Sequence, residues 1–283
     1  MCKYCRGFYL RGMLNAESPG ELWELCSSLA RKGAKGVLIS GGFTREGVLP
    51  IRPFLRTVRA LKEEFGLTIA VHPGLVDRGL AEEMASSGVD VALFDVVGDE
   101  DTIREVIGLD KKPEDYMESL LALREAGLAV APHICVGIHG GEVRGEEEAI
   151  RMVRSAGADV LVIIVFMPTR GTPYEGASPP DLGEVRRILR RARTAFPKTP
   201  LALGCMRPRK KPYRTALEFL ALEEGVDRMA LPSREAVRKA LEMGLRVSWH
   251  DVCCAIPWAG GQGLRRPASP HTWRGRGWAR RQS

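Results

Sequence analysis

Gly157-Ala-Asp-Val160-Leu-Val-Ile-Ile-Val165 sets a glycine at the end of a helical pattern and runs, two residues later, into an unbroken apolar stretch. Glycine suits the left-handed position that closes a helix. An apolar run without polar alternation suits a strand covered on both faces, as in a parallel sheet. The same join recurs at Gly33 before Val37, Gly66 before Thr68, Gly88 before Val91, Gly127 before Ala129, Gly225 before Met229 and Gly244 before Arg246. Leu201-Ala-Leu-Gly204 adds a strand after the break at Pro197. About eight such units in 283 residues predict an α/β fold of the (β/α) barrel type, a full or partial TIM-like barrel. Functional groups then belong on the loops that follow the C-terminal ends of the strands.

The helical segments carry the complementary signals. Ser18 is a helix cap, with Pro19 at the first helical position and Glu21 three residues on. Leu22, Leu25, Cys26 and Leu29 share one face, which makes Cys26 a core residue. Val185, Ile188, Leu189 and Ala192 form another apolar stripe, so the arginines between Arg186 and Arg193 are its wet face.

The formal net charge of +7 is concentrated between Leu264 and Ser283, where six arginines stand without an acid. The body is close to neutral, and a nucleic-acid partner is not expected. Residues 1–254 are read as one barrel domain, and 255–283 as a disordered tail rich in Arg, Gly and Pro. No apolar run approaches the roughly 18 residues of a membrane span, and no signal segment opens the chain, so a cytoplasmic protein without a membrane partner is expected. Seven cysteines, an odd number, point to metal binding or free thiols rather than to a disulfide framework.

Polar groups gather at the predicted strand ends. Ser40-Gly41-Gly42-Phe43 lets a ligand approach the backbone, or is an ordinary tight turn. His72-Pro73-Gly74 ends the next strand. Asp95 suits ribose hydroxyls, whereas Asp99 suits a helix cap. His133-Ile-Cys135-Val-Gly137-Ile138-His139-Gly140-Gly141-Glu142 reads as a ligand-lined mouth. Gly171-Thr172-Pro173 and Gly204-Cys205-Met206-Arg207 follow later strands. At the N-terminus stands Met1-Cys2-Lys3-Tyr4-Cys5; a Cys-x2-Cys pair alone serves iron–sulfur clusters, zinc knuckles and redox dithiols alike.

With these residues in view, the chain resembles the radical S-adenosylmethionine (SAM) superfamily, in its biotin-synthase-like branch, from Cys2 to about Cys254. It is most similar there to archaeal-type components of a two-protein lipoyl synthase. Cys2 and Cys5, with Tyr4 between them, match the last two ligands of a Cys-x3-Cys-x2-Cys loop. A truncated N-terminus is therefore expected, with the first cysteine and the first strand missing. Gly41 and Gly42 match a Gly-Gly-Glu segment that contacts the methionine amino group, with Phe43 in place of Glu. Ile138 and Gly140 match the adenine-contacting segment. Asp95 to Asp99 with Ile107, Gly108 and Tyr116, and Gly171 to Pro173, match further segments of biotin synthase. Arg207 aligns with an arginine that ligates an auxiliary cluster in that enzyme, and Cys205, Cys253 and Cys254 offer a thiolate set for such a cluster.

The resemblance implies a 4Fe-4S cluster and SAM as cofactors. Cys2 and Cys5 would bind the cluster, and Tyr4, Gly41, Gly42, Asp95, Ile138 and Gly140 would bind SAM. Cys205, Arg207, Cys253 and Cys254 would hold a possible auxiliary iron–sulfur cluster. It further implies a 5′-deoxyadenosyl radical and sulfur insertion into an unactivated C–H bond. The alternatives are a radical SAM reaction without sulfur transfer, or an inactive barrel remnant. Implied partners are a small-molecule or carrier-bound acyl substrate, a second radical SAM subunit and an electron donor such as ferredoxin. The resemblance assigns no individual catalytic residue.

Overall fold

The computed structural model describes residues 2–257. Seven parallel strands form one sheet in the order of the chain: β1 (Gly36–Ile39), β2 (Thr68–Val71), β3 (Val91–Asp95), β4 (Ala129–Val136), β5 (Leu161–Val165), β6 (Leu201–Leu203) and β7 (Arg228–Met229). The sheet curls into a half-barrel, the partial form of the expected fold. Helices α1 (Pro19–Arg31), α2 (Leu55–Phe65), α3 (Arg78–Ser86), α5 (Pro113–Glu125), α6 (Glu146–Ala156), α7 (Leu182–Ala195), α8 (Tyr213–Glu223) and α9 (Arg234–Glu242) connect or follow the strands. Between β3 and α5, the short turn α4 (Glu100–Thr102) widens into a π-helical turn at Ile103–Ile107.

Strand parity divides the core in two. Along β4, Val130, Ile134 and Val136 belong to the core shared with the helices, whereas Ala131 and Cys135 belong to a second cluster that fills the concave side, the lumen. Side chains of a strand alternate between faces, so every inward position follows from one. Val91 and Leu93 of β3 face the lumen, with Val162 and Ile164 of β5 and Ala202 of β6. Their inward neighbours at the strand ends are His72, Asp95 and His133.

All seven helix-closing glycines of the sequence adopt positive φ, between 61° at Gly66 and 95° at Gly33. Ser18 caps α1 in a full capping box with Glu21. Cys26 is buried in the core, and Val185, Ile188, Leu189 and Ala192 are fully buried. The wet face of α7 is an ion-pair ladder: Arg186 meets Glu223 at 2.9 Å, Arg187 meets Glu184 at 2.6 Å and also Glu147, and Arg190 meets Glu224 at 2.9 Å. Two expectations change. Arg246 to Trp249 is not a strand; Arg246, Ser248 and Trp249 are exposed, and no pairing extends the sheet beyond β7 among the described residues. The tail boundary after Cys254 falls inside packed structure, since Ala255 and Ile256 are buried in the lumen cluster. Arg228 of β7 holds that segment by donating to the carbonyls of Ile256 at 2.7 Å and Pro257 at 2.9 Å. Residues 258–283, the rest of the expected tail, lie outside the described residues.

The N-terminal end of the half-barrel is bolted by a clamp used three times. Asp90, Asp159 and Asp227 each stand two residues after a helix-closing glycine and just before β3, β5 or β7. Each carboxylate accepts the N–H of a residue in the preceding strand: Ile69 at 2.7 Å, Val130 at 2.8 Å and Leu201 at 2.8 Å. Each also pairs with a cation from the helix that leads into that strand, namely Lys62 at 2.6 Å, Arg124 and Arg193. The aspartate's own N–H returns a bond to the same residue of the preceding strand, at 2.8 to 2.9 Å. Substituting Asp159 by Ala leaves the Val130 N–H and the Arg124 guanidinium without their acceptor. Urea unfolding is expected to show a loss of about 1–3 kcal/mol with an unchanged denaturant slope. Asp90→Ala and Asp227→Ala are expected to give losses of the same size.

Candidate active site at the open end of the half-barrel

The thiol pair reaches the lumen through its neighbours. The N–H of Lys3 donates to the Val106 carbonyl in the π-helical turn at 2.7 Å. Tyr4 is buried, its ring 5.6 Å from Phe166 and 6.3 Å from Tyr9. Phe8 N–H closes back on the Cys5 carbonyl at 2.8 Å, and Arg6 and Gly7 both turn through the left-handed region, at φ 45° and 73°. Cys2 and Cys5 thus both pack against the lumen cluster, and Cys2 stands within electrostatic reach of Cys135 and Asp95. Burial pushes the Cys2 and Cys135 thiols up from their ordinary values. The Tyr4 hydroxyl is buried with no hydrogen-bond partner among the described residues.

Three titratable side chains on adjacent strands face the same space. His72 Nε2 lies 3.0 Å from Asp95 Oδ2, with the two side chains 26% and 47% accessible because they open onto the lumen. Asp95 and His133 are register partners across β3 and β4. The His72 and His133 rings lie 6.3 Å apart. Burial opposes charge on both His72 and Asp95, yet their mutual attraction prevails, raising the imidazole and lowering the carboxyl. His133 differs. Burial lowers it to about 4, more than Asp95 restores. Its Nδ1 contacts the Ala131 carbonyl at 2.9 Å, and a carbonyl only accepts, so the neutral ring carries its proton on Nδ1. The bare Nε2 is then an acceptor.

The other expected site residues divide. A side chain on Gly41 would crowd Leu49 at 3.2 Å, while Gly42 meets nothing within 4 Å and leaves its backbone open. Ile138 packs against the lumen cluster. Gly140 is required by the neighbouring connection after β5, since a Cβ there would meet the Tyr174 ring at 2.8 Å. Asp99 is the helix cap it was read to be, accepting from Thr102 N–H at 2.9 Å. At the far side of the lumen, Cys254 packs against the cluster with Cys205 near it, and the adjacent Cys253 is exposed. A hydrogen bond from Cys254 brings the Cys253 thiol down to about 6. Arg207 points elsewhere: buried at 3%, it pairs with the fully buried Glu218 at 2.7 Å and donates to the Gly204 carbonyl at 2.6 Å. Burial opposes charge on Glu218, and bonds from Ser233, Arg207 and Arg214 hold its carboxyl below the usual range.

The sequence puts His72 at a strand end and His133 in a ligand-lined mouth without giving either an individual role. Inward parity with Asp95, counted along the strands, is the signal that finds them.

A half-barrel of parallel strands carries the thiol loop against its lumen, and the comparisons supply the class. Residues 1–156, more than half of the chain, match the family model described as the radical SAM superfamily, and the chain belongs to that family. Among curated proteins, 3-methylornithine synthase of Methanosarcina barkeri is 26% identical over 200 residues, covering 70% of this chain and 55% of that protein. Biotin synthase of Acidithiobacillus ferrooxidans is 28% identical over 162 residues, covering 56% and 50%. The chain thus spans about half the length of these relatives. A crystal structure of methylornithine synthase superposes with a TM-score of 0.58 at 21% identity, over 81% of this chain and 66% of that one. The FeFe-hydrogenase maturase HydG from Carboxydothermus hydrogenoformans gives 0.55 at 15% identity, over 81% and 54%. These two likenesses show the fold.

Family membership implies a 4Fe-4S cluster and SAM. The residues present fit the thiolate side of such a cluster at two positions, Cys2 and Cys5. The orphaned Tyr4 hydroxyl and the open backbone at Gly42 fit a polar ligand beside it. Among the described residues, no group of three His, Cys, Asp or Glu side chains is placed to hold a metal ion.

The His133 environment sets a pH dependence. The unfolded imidazole takes its proton near 6.5 and the folded one only near 4, so acid favours the unfolded chain between those values. The contribution of the neutral His133 to stability is fully present above pH 6.5 and is lost as the pH drops toward 4. His133→Gln is expected to show a shallower decline in thermal midpoint across this window than the unsubstituted chain. Parallel curves would overturn the assignment.

Proposed function

We propose that the chain works as a radical SAM enzyme on a substrate held in the lumen, abstracting hydrogen from an unactivated C–H bond and rearranging the carbon skeleton without a second cluster. The carrying observation is convergence: Cys2, Cys5, the unpartnered Tyr4 hydroxyl, Asp95 and the bare His133 nitrogen face one space at the strand ends. In this reading Cys2 and Cys5 provide two thiolates to the cluster, and the chemistry that a reduced cluster supplies is one-electron cleavage of SAM to methionine and a 5′-deoxyadenosyl radical. Gly41, Gly42, Asp95, Ile138 and Gly140 position SAM, and Tyr4 walls the thiol loop. Apolar inward residues such as Val91, Val162 and Ile164 keep water from the reacting carbon. An external electron donor of the ferredoxin class belongs to the same proposal.

Arg207 turns the reading away from sulfur donation, because its ion pair with Glu218 would have to break for it to reach a second cluster. Breaking one partner from a buried pair costs several kcal/mol. The resemblance to 3-methylornithine synthase supports the same choice. Sulfur insertion, of the biotin- or lipoyl-synthase type and with a second radical subunit, is the second reading. It is favoured by the adjacent Cys253 and Cys254 beside the lumen, near Cys205, and by the resemblance to biotin synthase.

Anaerobic reconstitution separates the two. The proposal expects about four irons per chain, while sulfur insertion from an auxiliary cluster expects at least about six. Cys2→Ser and Cys5→Ser are each expected to abolish iron retention and dithionite-dependent release of 5′-deoxyadenosine, whereas Cys26→Ala, in the core, keeps both. Absence of SAM cleavage by the reconstituted, unsubstituted chain would overturn the proposal in favour of a non-catalytic barrel.

A further inference from the structure

Phe43 stands where the resemblance places a glutamate, and its ring is not idle. It meets the His72 imidazole edge-to-face, with centroids 5.8 Å apart and planes at 88°. The same imidazole reaches Asp95 Oδ2 through Nε2 at 3.0 Å. One ring therefore touches both rim elements assigned to SAM: the Gly41–Gly42 loop through Phe43, and the end of β3 through Asp95.

The remainder of that loop is tied to the segment after His72. Leu49 N–H donates to the Pro73 carbonyl at 2.7 Å, and Leu75 N–H donates to the Gly47 carbonyl at 2.9 Å. The approach is so close that a Cβ on Gly74 would lie 2.1 Å from the Gly47 oxygen. His72 itself is fixed at the backbone by donating to the Ile39 carbonyl of β1 at 2.9 Å. The loop and His72 thus form one body, and the ion pair extends that body to Asp95. Only Oδ2 faces His72. Asp95 Oδ1 accepts no hydrogen bond from the described residues, which leaves the carboxylate acceptor capacity to spare. A glutamate at position 43 would bring a second carboxylate to the same imidazole. The aromatic ring instead leaves Asp95 as the sole anion that His72 contacts among the described residues.

We propose that His72 is a positioning residue that couples the Gly41–Gly42 loop to Asp95, so that the two elements grip SAM as a unit. The inference rests on the reading of Gly41, Gly42 and Asp95 as SAM contacts. Residues that act as a unit are non-additive when removed together.

The test is a double-mutant cycle on the anaerobically reconstituted chain, with SAM affinity measured by equilibrium dialysis. A parallel series records the change that SAM makes in the EPR spectrum of the reduced cluster. His72→Gln and Asp95→Asn are each expected to weaken SAM binding about tenfold, and the double variant to bind no more weakly than the poorer single one. The EPR spectrum without SAM is expected to stay unchanged in all of them, which a general structural lesion would not allow. Losses that multiply in the double variant, or full affinity in His72→Gln, overturn the coupling while leaving Asp95 as a contact. Full affinity in Asp95→Asn overturns the reading of Asp95 and the proposal with it. Should His72→Gln unfold, Phe43→Ala serves in its place. Phe43 is exposed on one side, and its loss is expected to weaken binding about threefold in the unsubstituted chain and not at all with Asp95→Asn. An equal loss in both backgrounds overturns the proposal.

Discussion

The threefold aspartate clamp is the constraint on which the half-barrel rests. A parallel sheet pairs each strand with one that arrives a whole helix later, so register must be fixed across long stretches of chain. Asp90, Asp159 and Asp227 fix it at a single point for each pair of units, by tying the start of one strand to the first residues of the strand before it. The helix cation in each clamp adds the third element. Since Lys62, Arg124 and Arg193 lie near the ends of α2, α5 and α7, helix, strand and next strand are joined at one carboxylate. Once register is set at the closed end, side-chain parity dictates what faces the lumen at the open end.

That parity places the site. From Val91 inward positions run to Leu93 and Asp95; from Ala131 they run to His133 and Cys135. The hydrophobic layers below exclude water, and the polar layer above meets the thiol loop. The charged pair of His72 and Asp95 survives there because each supplies the counter-charge that burial would otherwise forbid. His133, lacking a comparable partner, stays neutral.

Much of this was legible in the chain. Glycine at positive φ, capping by Ser18 and the buried stripe of α7 follow from local stereochemistry and helical period, which a single sequence carries in full. The barrel class followed from repetition, which left its full and partial forms open; the seven-stranded sheet decides for the partial one. The eighth strand did not form because a Gly-then-apolar join specifies only where a helix stops; whether the next residues pair depends on a neighbouring edge, and Arg246 and Trp249 are exposed with none. Ala255 and Ile256 were read as tail for a similar reason, since their burial depends on Arg228, a residue about 28 positions away. Arg207 carried a motif's identity but not its surroundings. Glu218, which claims it, lies on a helix that the motif does not include. Long-range polar partners are the part of a fold that local patterns leave open.

The wide turn at Ile103–Ile107 gives the thiol loop its address. A π-helical turn leaves the Val106 carbonyl directed at Lys3, and that bond lies between Cys2 and Cys5. The same connection begins at Asp95 and is capped by Asp99. The thiols at the start of the chain and the carboxylate of β3 are therefore mounted on a common bracket, about 100 residues away in sequence from the cysteines themselves. The distance between thiols and carboxylate is thus a property of that bracket rather than of the outer loops.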